Sequence, residues 1–303
     1  MKTSKITLSI AAIMVAMAFS VTSCKKDKTE TTEDKDTGSA SDNSLAEKSA
    51  DDITNIGGQA AEDNSLNAYR YGDAFISSCA TVVRDSVMKT ITVTFNGQQC
   101  LDGHIRSGSL LFDYSASTNG AKYYRDPGFA LTVTSTNYIV DGNQINIVNK
   151  SVQNTTAPGF NPATTNLTWS VNTNINVVKA SSGGTVSWSA NKVKTLMNTS
   201  DTNVYRGPSQ HIVWSKAIIG ITGNASGTTA NGDSFSAATT SQLIRDMNCS
   251  PNSNFPGHHP FIQGTLDFTH GTKPVRHFDY GNGVCDDQAT VTINGNTYTI
   301  TLK

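Results

Sequence analysis

Thr90-Ile91-Thr92-Val93-Thr94-Phe95 is the stretch that decides the fold class of this chain. Its apolar residues alternate with threonines, so an extended strand here has one apolar and one polar side. The same alternation recurs at Leu110-Phe112-Tyr114, Phe129-Leu131-Val133, Leu167-Trp169-Val171 and Ala289-Val291-Ile293. Half-buried strands of this kind are typical of antiparallel sheets, and no helical stretch of about 10–15 residues separates them as βαβ units require. The sequence therefore predicts an all-β fold.

Asn-Gly and Asp-Gly pairs mark turns between these strands, because both residues tolerate the positive φ of two-residue hairpin turns. The pairs are Asp141-Gly142, Asn231-Gly232 and Asn294-Gly295. A two-residue turn at Asn294-Gly295 sets Val291 opposite Tyr298, which keeps apolar side chains on one face. The runs add up to about fourteen strands, arranged as an antiparallel β-sandwich or as a long curved meander of hairpins.

The N-terminus has the order of a secretory signal. Two lysines within residues 1–5 precede an apolar stretch over residues 6–19, and small residues follow up to Cys24. The apolar stretch is shorter than the roughly 20 residues that a membrane-spanning helix needs. We therefore expect residues 1–23 to be a signal peptide.

Val21-Thr22-Ser23-Cys24 resembles the lipobox at which bacterial lipoprotein signals are cut. The resemblance implies that Cys24 becomes the first residue of the mature chain and carries acyl chains such as palmitate. Two or more such chains attach a protein stably to a membrane. The alternative is an ordinary secreted protein in which the cysteine stands at this position by chance.

The residues after Cys24 predict a flexible, lipidated tether over 24–66. Residues 25–36 are mostly charged or threonine, and they lack the apolar side chains that a folded segment must bury. Leu45, Ile53 and Ile56 fit one face of a short helix near 43–56, which Gly57-Gly58 would end. The all-β domain is then expected over 67–303.

A faint repeat suggests two related halves in this domain, at about 75–160 and 165–303. Phe95–Asp102 and Tyr280–Asp287 both place an aromatic residue five positions before a cysteine and an aspartate two after it. Coincidence in a chain rich in Gly and Asn is the alternative interpretation.

Several segments together resemble a family of uncharacterised outer-membrane lipoproteins from Bacteroidetes. They are Arg106-Ser107-Gly108-Ser109-Leu110, Tyr124-Arg125-Asp126-Pro127-Gly128, Asn137-Tyr138-Ile139-Val140-Asp141-Gly142 and Asp279-Tyr280-Gly281-Asn282-Gly283-Val284-Cys285-Asp286-Asp287. The resemblance, from about Cys79 to Lys303, implies outer-membrane association and no established activity. Cys24-Lys25-Lys26-Asp27-Lys28 resembles the export tag of surface-exposed lipoproteins in that phylum, which favours the cell surface over the periplasmic face.

Four cysteines follow Cys24, an even number for an oxidising compartment, and they predict two disulfides. They are Cys79, Cys100, Cys249 and Cys285. Three connectivities are open, and short-range loop closure favours Cys79–Cys100 with Cys249–Cys285.

Two polar clusters contain residue types that bind metals. His258, His259, His270 and His277 lie near Asp267 and Asp279, but their spacing matches no zinc motif and indicates solvated loop histidines. Asp279, Asn282, Asp286 and Asp287 lack the spacing of a calcium loop, and β-turns use such side chains for their own backbone. The sequence therefore predicts neither a metal nor a cofactor.

The chain offers no catalytic residue by motif, because nucleophile-elbow, metalloprotease, phosphate-loop and dinucleotide patterns are all absent from it. The net charge of −1 gives no basic field for nucleic acid. We expect a binding or structural module with a glycan or envelope-protein partner. A surface hydrolase of glycans with unlinked acidic residues and a subunit of an envelope complex are the alternatives. Trp169, Trp188 and Trp214 would stack on sugars if exposed, but their period-two setting favours the core.

Overall fold

The structure is a computed structural model that describes residues 38–62, 76, 78–180, 183–207, 212–251 and 259–302. The predicted signal peptide, Cys24 and tether residues 25–37 lie outside the described residues. None of the helices in the described ranges combines the length and the apolar character needed to cross a membrane.

One 14-stranded antiparallel sheet dominates the domain and confirms the all-β prediction. The strands are β1 Ala80–Asp85, β2 Thr90–Gln99, β3 Ile105–Asp113, β4 Ala130–Val140, β5 Asn143–Asn154, β6 Leu167–Val178, β7 Thr185–Leu196, β8 Ile218–Thr228, β9 Ser234–Thr239, β10 Leu243–Asp246, β11 Phe261–His270, β12 Arg276–Asn282, β13 Gln288–Ile293 and β14 Asn296–Thr301. Each strand pairs with its neighbours in sequence, except that β9 and β10 share the place between β8 and β11. The described residues thus form the meander of hairpins and not the sandwich.

The hairpin registers follow the turn residues. Val291 lies opposite Tyr298 as predicted, across Asn294-Gly295 with φ values of 50° and 80°. Asp141-Gly142 closes β4 and β5 in the same way. The prediction of a two-residue turn at Asn231-Gly232 is wrong. Residues 229–233 connect β8 to β9, and only the glycine of the pair has a positive φ.

A 25-residue helix, α1 (Gly38–Glu62), corrects the predicted tether. Its inner face is buried by residues spaced three or four apart, namely Ala46, Ala50, Ile53, Ile56 and Ala60. The short-helix prediction counted large apolar residues and passed over these alanines, which allow a close approach to the sheet. Gly57 does not end the helix but packs under the ring of Phe112. The folded body therefore begins within the segment assigned to the tether.

The sheet curves around α1. The Arg84 Nε on β1 donates to the carbonyl oxygen of Ala60 at 2.9 Å, and Arg245 on β10 lies 3.8 Å from Asp51. These strands are eight spacings apart in the sheet order, about 38 Å if the sheet were flat, whereas Asp51 and Ala60 are only about 13–14 Å apart along the helix. A flat sheet could not bring both arginines to one helix. The segments predicted as related halves belong to one continuous sheet, since β5 and β6 pair along almost their whole length.

Both favoured disulfides are present. Cys79 and Cys100 have Cα atoms 5.0 Å apart, and an irregularity in β2 between Asn96 and Gln99 lets the chain reach this position. Cys249 and Cys285, 5.6 Å apart, link the segments that follow β10 and β12.

Candidate functional site

A cavity of about 1360 Å³ lies between α1 and the inner face of the sheet. It exceeds the roughly 300–1,000 Å³ of most small-molecule sites. Its aromatic lining residues are Tyr114, Tyr124, Phe129, Trp169, Trp214, Phe112, Phe261, Phe268, Phe278 and Tyr280. Large rings of this kind provide apolar contact area, and charged side chains such as Lys194 and Arg245 belong to the same lining, so the cavity has room for a sizeable ligand with an apolar part.

Four of these rings form a continuous cluster, which we call the aromatic wall: Tyr124, Phe129, Trp169 and Trp214. The Tyr124 ring centroid lies 5.8 Å from Phe129, 5.4 Å from Trp169 and 6.4 Å from Trp214. The Trp169 indole donates to the backbone oxygen of Tyr124 at 2.7 Å. The loop between β3 and β4 is thereby fixed to β6, and this wall is pre-formed.

Two of the three tryptophans lie in the core, as predicted, and the third is only half-buried. Trp169 and Trp188 are 1% and 2% exposed. Trp214 is half-buried and belongs to the cavity lining. The three indoles therefore do not form an exposed platform for sugar stacking.

Strands β10, β11 and β12 contribute another part of the cavity lining. Phe261 and Tyr280 pack edge to face with centroids 5.2 Å apart. The guanidinium of Arg245 stacks 4.4 Å above the Phe261 ring. Burial, with the charge of Glu47, raises the pKa of Tyr280 to about 12, so this phenol stays neutral.

Acidic residues of α1 meet basic residues of the sheet along the cavity. Glu47 pairs with Lys192, and Asp51 pairs with Lys194 at 2.9 Å. Arg245 approaches Asp51 at 3.8 Å. Burial alone would raise the pKa of Asp51, but these three cations outweigh burial and hold it far below its usual range. Asp51 is therefore a permanent negative charge.

Lys150 on β5 lies behind this charged row. Its side chain is 1% exposed, and its Nζ donates to Thr173 Oγ1 at 3.2 Å. Burial first, and then the charges of Lys194 and Lys192, lower the pKa of Lys150 to about 7, while Asp51 opposes the change. This amine therefore changes charge near neutral pH.

Arg106 contacts α1 at Asp52, the residue that follows Asp51. It is 1% exposed and bonds Asp52 and Asp102, each at 2.7 Å, while the Tyr138 hydroxyl donates to Asp52 at 2.9 Å. Burial would lower the pKa of Arg106, but the bonds to these carboxylates raise it above its ordinary value. This network is structural, because it ties the helix to β3 and β4.

The histidines that are close in sequence do not converge on one site. His277 pairs with Asp267 at 2.5 Å, and His259 contacts the carbonyl oxygen of Cys249 at 2.9 Å. His270 is buried on β11, 3.6 Å from Asp233, and is not one of the solvated loop histidines predicted. His258 lies outside the described residues. Within the described ranges no three His, Cys, Asp or Glu side chains are grouped as a metal site would need.

The acidic loop near the C-terminus serves its own backbone, as predicted. Asp279 accepts a hydrogen bond from the Gly281 amide at 2.9 Å, and Asp286 accepts one from the Gln288 amide at 3.0 Å. These contacts are the turn geometry that Asp favours.

Sequence reasoning missed the charged row of the cavity. A signal was present, because Lys192 and Lys194 continue the inward-facing alternation of Trp188 and Ala190 on β7. A charged residue at an apolar strand position needs a partner inside the fold. The partners lie on α1, in the segment that the sequence predicts as a tether, so the sequence pattern does not indicate this pairing.

Comparison with known proteins gives no relative. No family model, curated protein or solved structure matches the chain. The resemblance to Bacteroidetes lipoproteins therefore stays a prediction.

Proposed function

We propose that this chain is a lipid-anchored outer-membrane lipoprotein whose folded domain binds a long, largely apolar ligand between α1 and the sheet. The observation that carries the proposal is the cavity of about 1360 Å³ with its aromatic lining. Rings fixed by hydrogen bonds and by stacking need little rearrangement on binding, which favours affinity.

The predicted anchor agrees with such a role. Thirteen residues separate Cys24 from the start of α1 at Gly38, a distance of at most about 50 Å when fully extended. A domain held within that distance of a bilayer is in reach of amphiphilic molecules. Surface exposure is part of the same proposal, on the strength of the lysine-rich segment after Cys24.

The carboxylates of the cavity do not favour the hydrolase alternative. General-acid catalysis of glycoside cleavage uses a carboxyl group with a raised pKa. The pKa of Asp51 is lowered instead, and Glu47 and Asp52 are both engaged by cations.

Quenching of tryptophan fluorescence tests the binding proposal. The probe is 16-bromohexadecan-1-ol, an uncharged chain whose bromine quenches nearby indoles. In the full chain carrying Cys24→Ala, we expect saturable quenching of Trp169 and Trp214, which line the cavity. In the Trp169→Phe/Trp214→Phe variant the remaining Trp188 lies outside the lining, and its emission should not change. Absence of saturable quenching in the Cys24→Ala chain would refute ligand binding in the cavity.

The anchor is tested separately by mass spectrometry of the protein purified from membranes. We expect a mature N-terminus at Cys24 that carries acyl chains, and Cys24→Ala protein in the soluble fraction. An unmodified, uncleaved N-terminus would refute the lipoprotein part of the proposal and leave the cavity result standing.

A further inference from the structure

We infer that the ligand is an anionic amphiphile, with a carboxylate or phosphate head group beside Arg245 and Tyr124 and its chain along the aromatic wall. This inference rests on the proposed function and specifies the class of ligand. We call Tyr124, Lys194 and Arg245 the head-group site.

The first argument is charge balance around α1. Three basic side chains, Lys192, Lys194 and Arg245, face two carboxylates, Glu47 and Asp51. Three minus two leaves one positive charge, and the side chains concerned are only 15–27% exposed. A charge in such surroundings is unfavourable without a counter-charge. One negative group in the cavity would neutralise the row.

The second argument is the unused capacity of Arg245. Its Nε–H is buried and has no hydrogen-bond partner among the described residues, and its closest carboxylate oxygen is 3.8 Å away. Arg106 makes an instructive contrast, since its guanidinium bonds two carboxylates at 2.7 Å each. Phe261 packs against one face of the Arg245 guanidinium. The guanidinium is therefore held in place although its Nε–H has no hydrogen-bond partner among the described residues. A bidentate anion is the partner that guanidinium geometry fits best.

The third argument is a second donor that faces the same place. The Tyr124 hydroxyl is buried without a hydrogen-bond partner in the described part of the chain, although Tyr124 lines the cavity. Burial, and then the negative charge of Asp51, raise the pKa of Tyr124 well above its usual value, so the hydroxyl keeps its proton. The Tyr124 ring lies 5.4 Å from Trp169, which pairs with Lys194 across β6 and β7. Lys194 and Arg245 both contact Asp51, at 2.9 and 3.8 Å. The two unpartnered donors are therefore grouped around Lys194 and Asp51, where an acceptor would serve them.

The apolar lining supplies the rest of the ligand. Trp214, Phe261 and Tyr280 are partly exposed rings of the same lining, whereas Trp169 and Phe129 are already buried, at 1% and 4% exposed. An inorganic anion would leave the partly exposed rings uncovered, whereas an alkyl chain would bury their faces. The combination of a cation at one place and rings around it selects an amphiphile.

The test compares three C16 probes below their aggregation limits: hexadecanoate, hexadecyl phosphate and hexadecan-1-ol. Each displaces 16-bromohexadecan-1-ol from the full Cys24→Ala chain. We expect at least one anion to bind about tenfold or more tightly than the alcohol, because charge-assisted hydrogen bonds add to the contacts of the chain. Preference for the carboxylate indicates a fatty acid as the source, and preference for the phosphate indicates a phospholipid-type head group.

Variants assign the preference to the head-group site. Arg245→Gln should abolish the advantage of the anions over the alcohol, whereas Arg206→Gln, at an exposed arginine outside the lining, should leave the binding of all three probes unchanged. Tyr124→Phe removes only a hydroxyl, and we expect it to weaken anion binding about threefold to tenfold. If Arg245→Gln does not fold, Tyr124→Phe alone tests whether the head-group site binds the anion.

The outcomes separate the two proposals. Equal binding of anions and alcohol, or an anion preference that survives both Arg245→Gln and Tyr124→Phe, overturns the anionic class and leaves apolar binding intact. Binding of none of the three probes overturns the proposed function and this inference with it.

Discussion

Replacing Lys150 by methionine should stabilise the protein at neutral and mildly acidic pH, which is unusual for the loss of a buried side chain. The pKa of Lys150 falls from 10.5 to about 7 in the folded state. Between these values the unfolded chain binds one more proton than the folded one. The free energy of unfolding therefore rises with pH from about 7 to about 10.5 and is lowest below pH 7.

The magnitude follows from the same two values. At 1.36 kcal/mol per pKa unit, a difference of about 3.5 corresponds to about 5 kcal/mol of unfavourable free energy below pH 7. Lys150→Met removes this penalty but also the hydrogen bond to Thr173, which contributes about 1 kcal/mol. The variant should therefore be more stable than the natural chain by up to about 4 kcal/mol near pH 6, and the difference should vanish near pH 10.

Urea unfolding followed by circular dichroism, with the disulfides intact, measures this difference at steps from about pH 6 to pH 10. Lys216→Met is the matched control, because Lys216 is exposed and its replacement should leave the pH profile unchanged. A variant that is less stable than the natural chain near pH 6, or a difference that does not change with pH, would refute the reasoning about Lys150.

Two further substitutions test how α1 is held. A Cβ at Gly57 would lie 2.6 Å from the Phe112 ring, so Gly57→Ala should lower the free energy of unfolding by about 1–3 kcal/mol. A Cβ at Gly58 has nothing within 4 Å, so Gly58→Ala should leave the free energy of unfolding unchanged or raise it. Urea unfolding that ranks the two variants in the opposite order would contradict this packing. Arg106→Met leaves Asp52 without its cation and should lower the free energy of unfolding by about 3–5 kcal/mol; a change below about 1 kcal/mol in the same assay would show that the network does not hold α1.

The sheet was predictable because each strand carries its own evidence. Alternating apolar residues define the faces, and Asn294-Gly295 fixes a register that the structure reproduces. The disulfide pairing followed from loop length. These are local signals, and antiparallel hairpins are local structures.

The cavity could not be predicted by the same means, because its parts are far apart in sequence. Asp51 meets Lys194 across 143 positions, and Asp52 meets Tyr138 across 86. The residues that surround Lys194 in the sequence do not indicate which carboxylate pairs with it. The helix itself was passed over because alanine is weakly apolar, although its small side chain is what lets α1 lie close to the sheet.

The cavity follows from the way in which the sheet curves. Fourteen strands curving around one helix leave more space than a helix about 10–12 Å wide occupies. The cavity is partly open, and its lining combines charged side chains with partly exposed rings. Water can hydrate Arg245 and Lys194, but it gains little against the rings of Trp214 and Tyr280. A molecule with one charged end and an apolar chain satisfies both parts of the lining, and this difference from water is what would drive its binding.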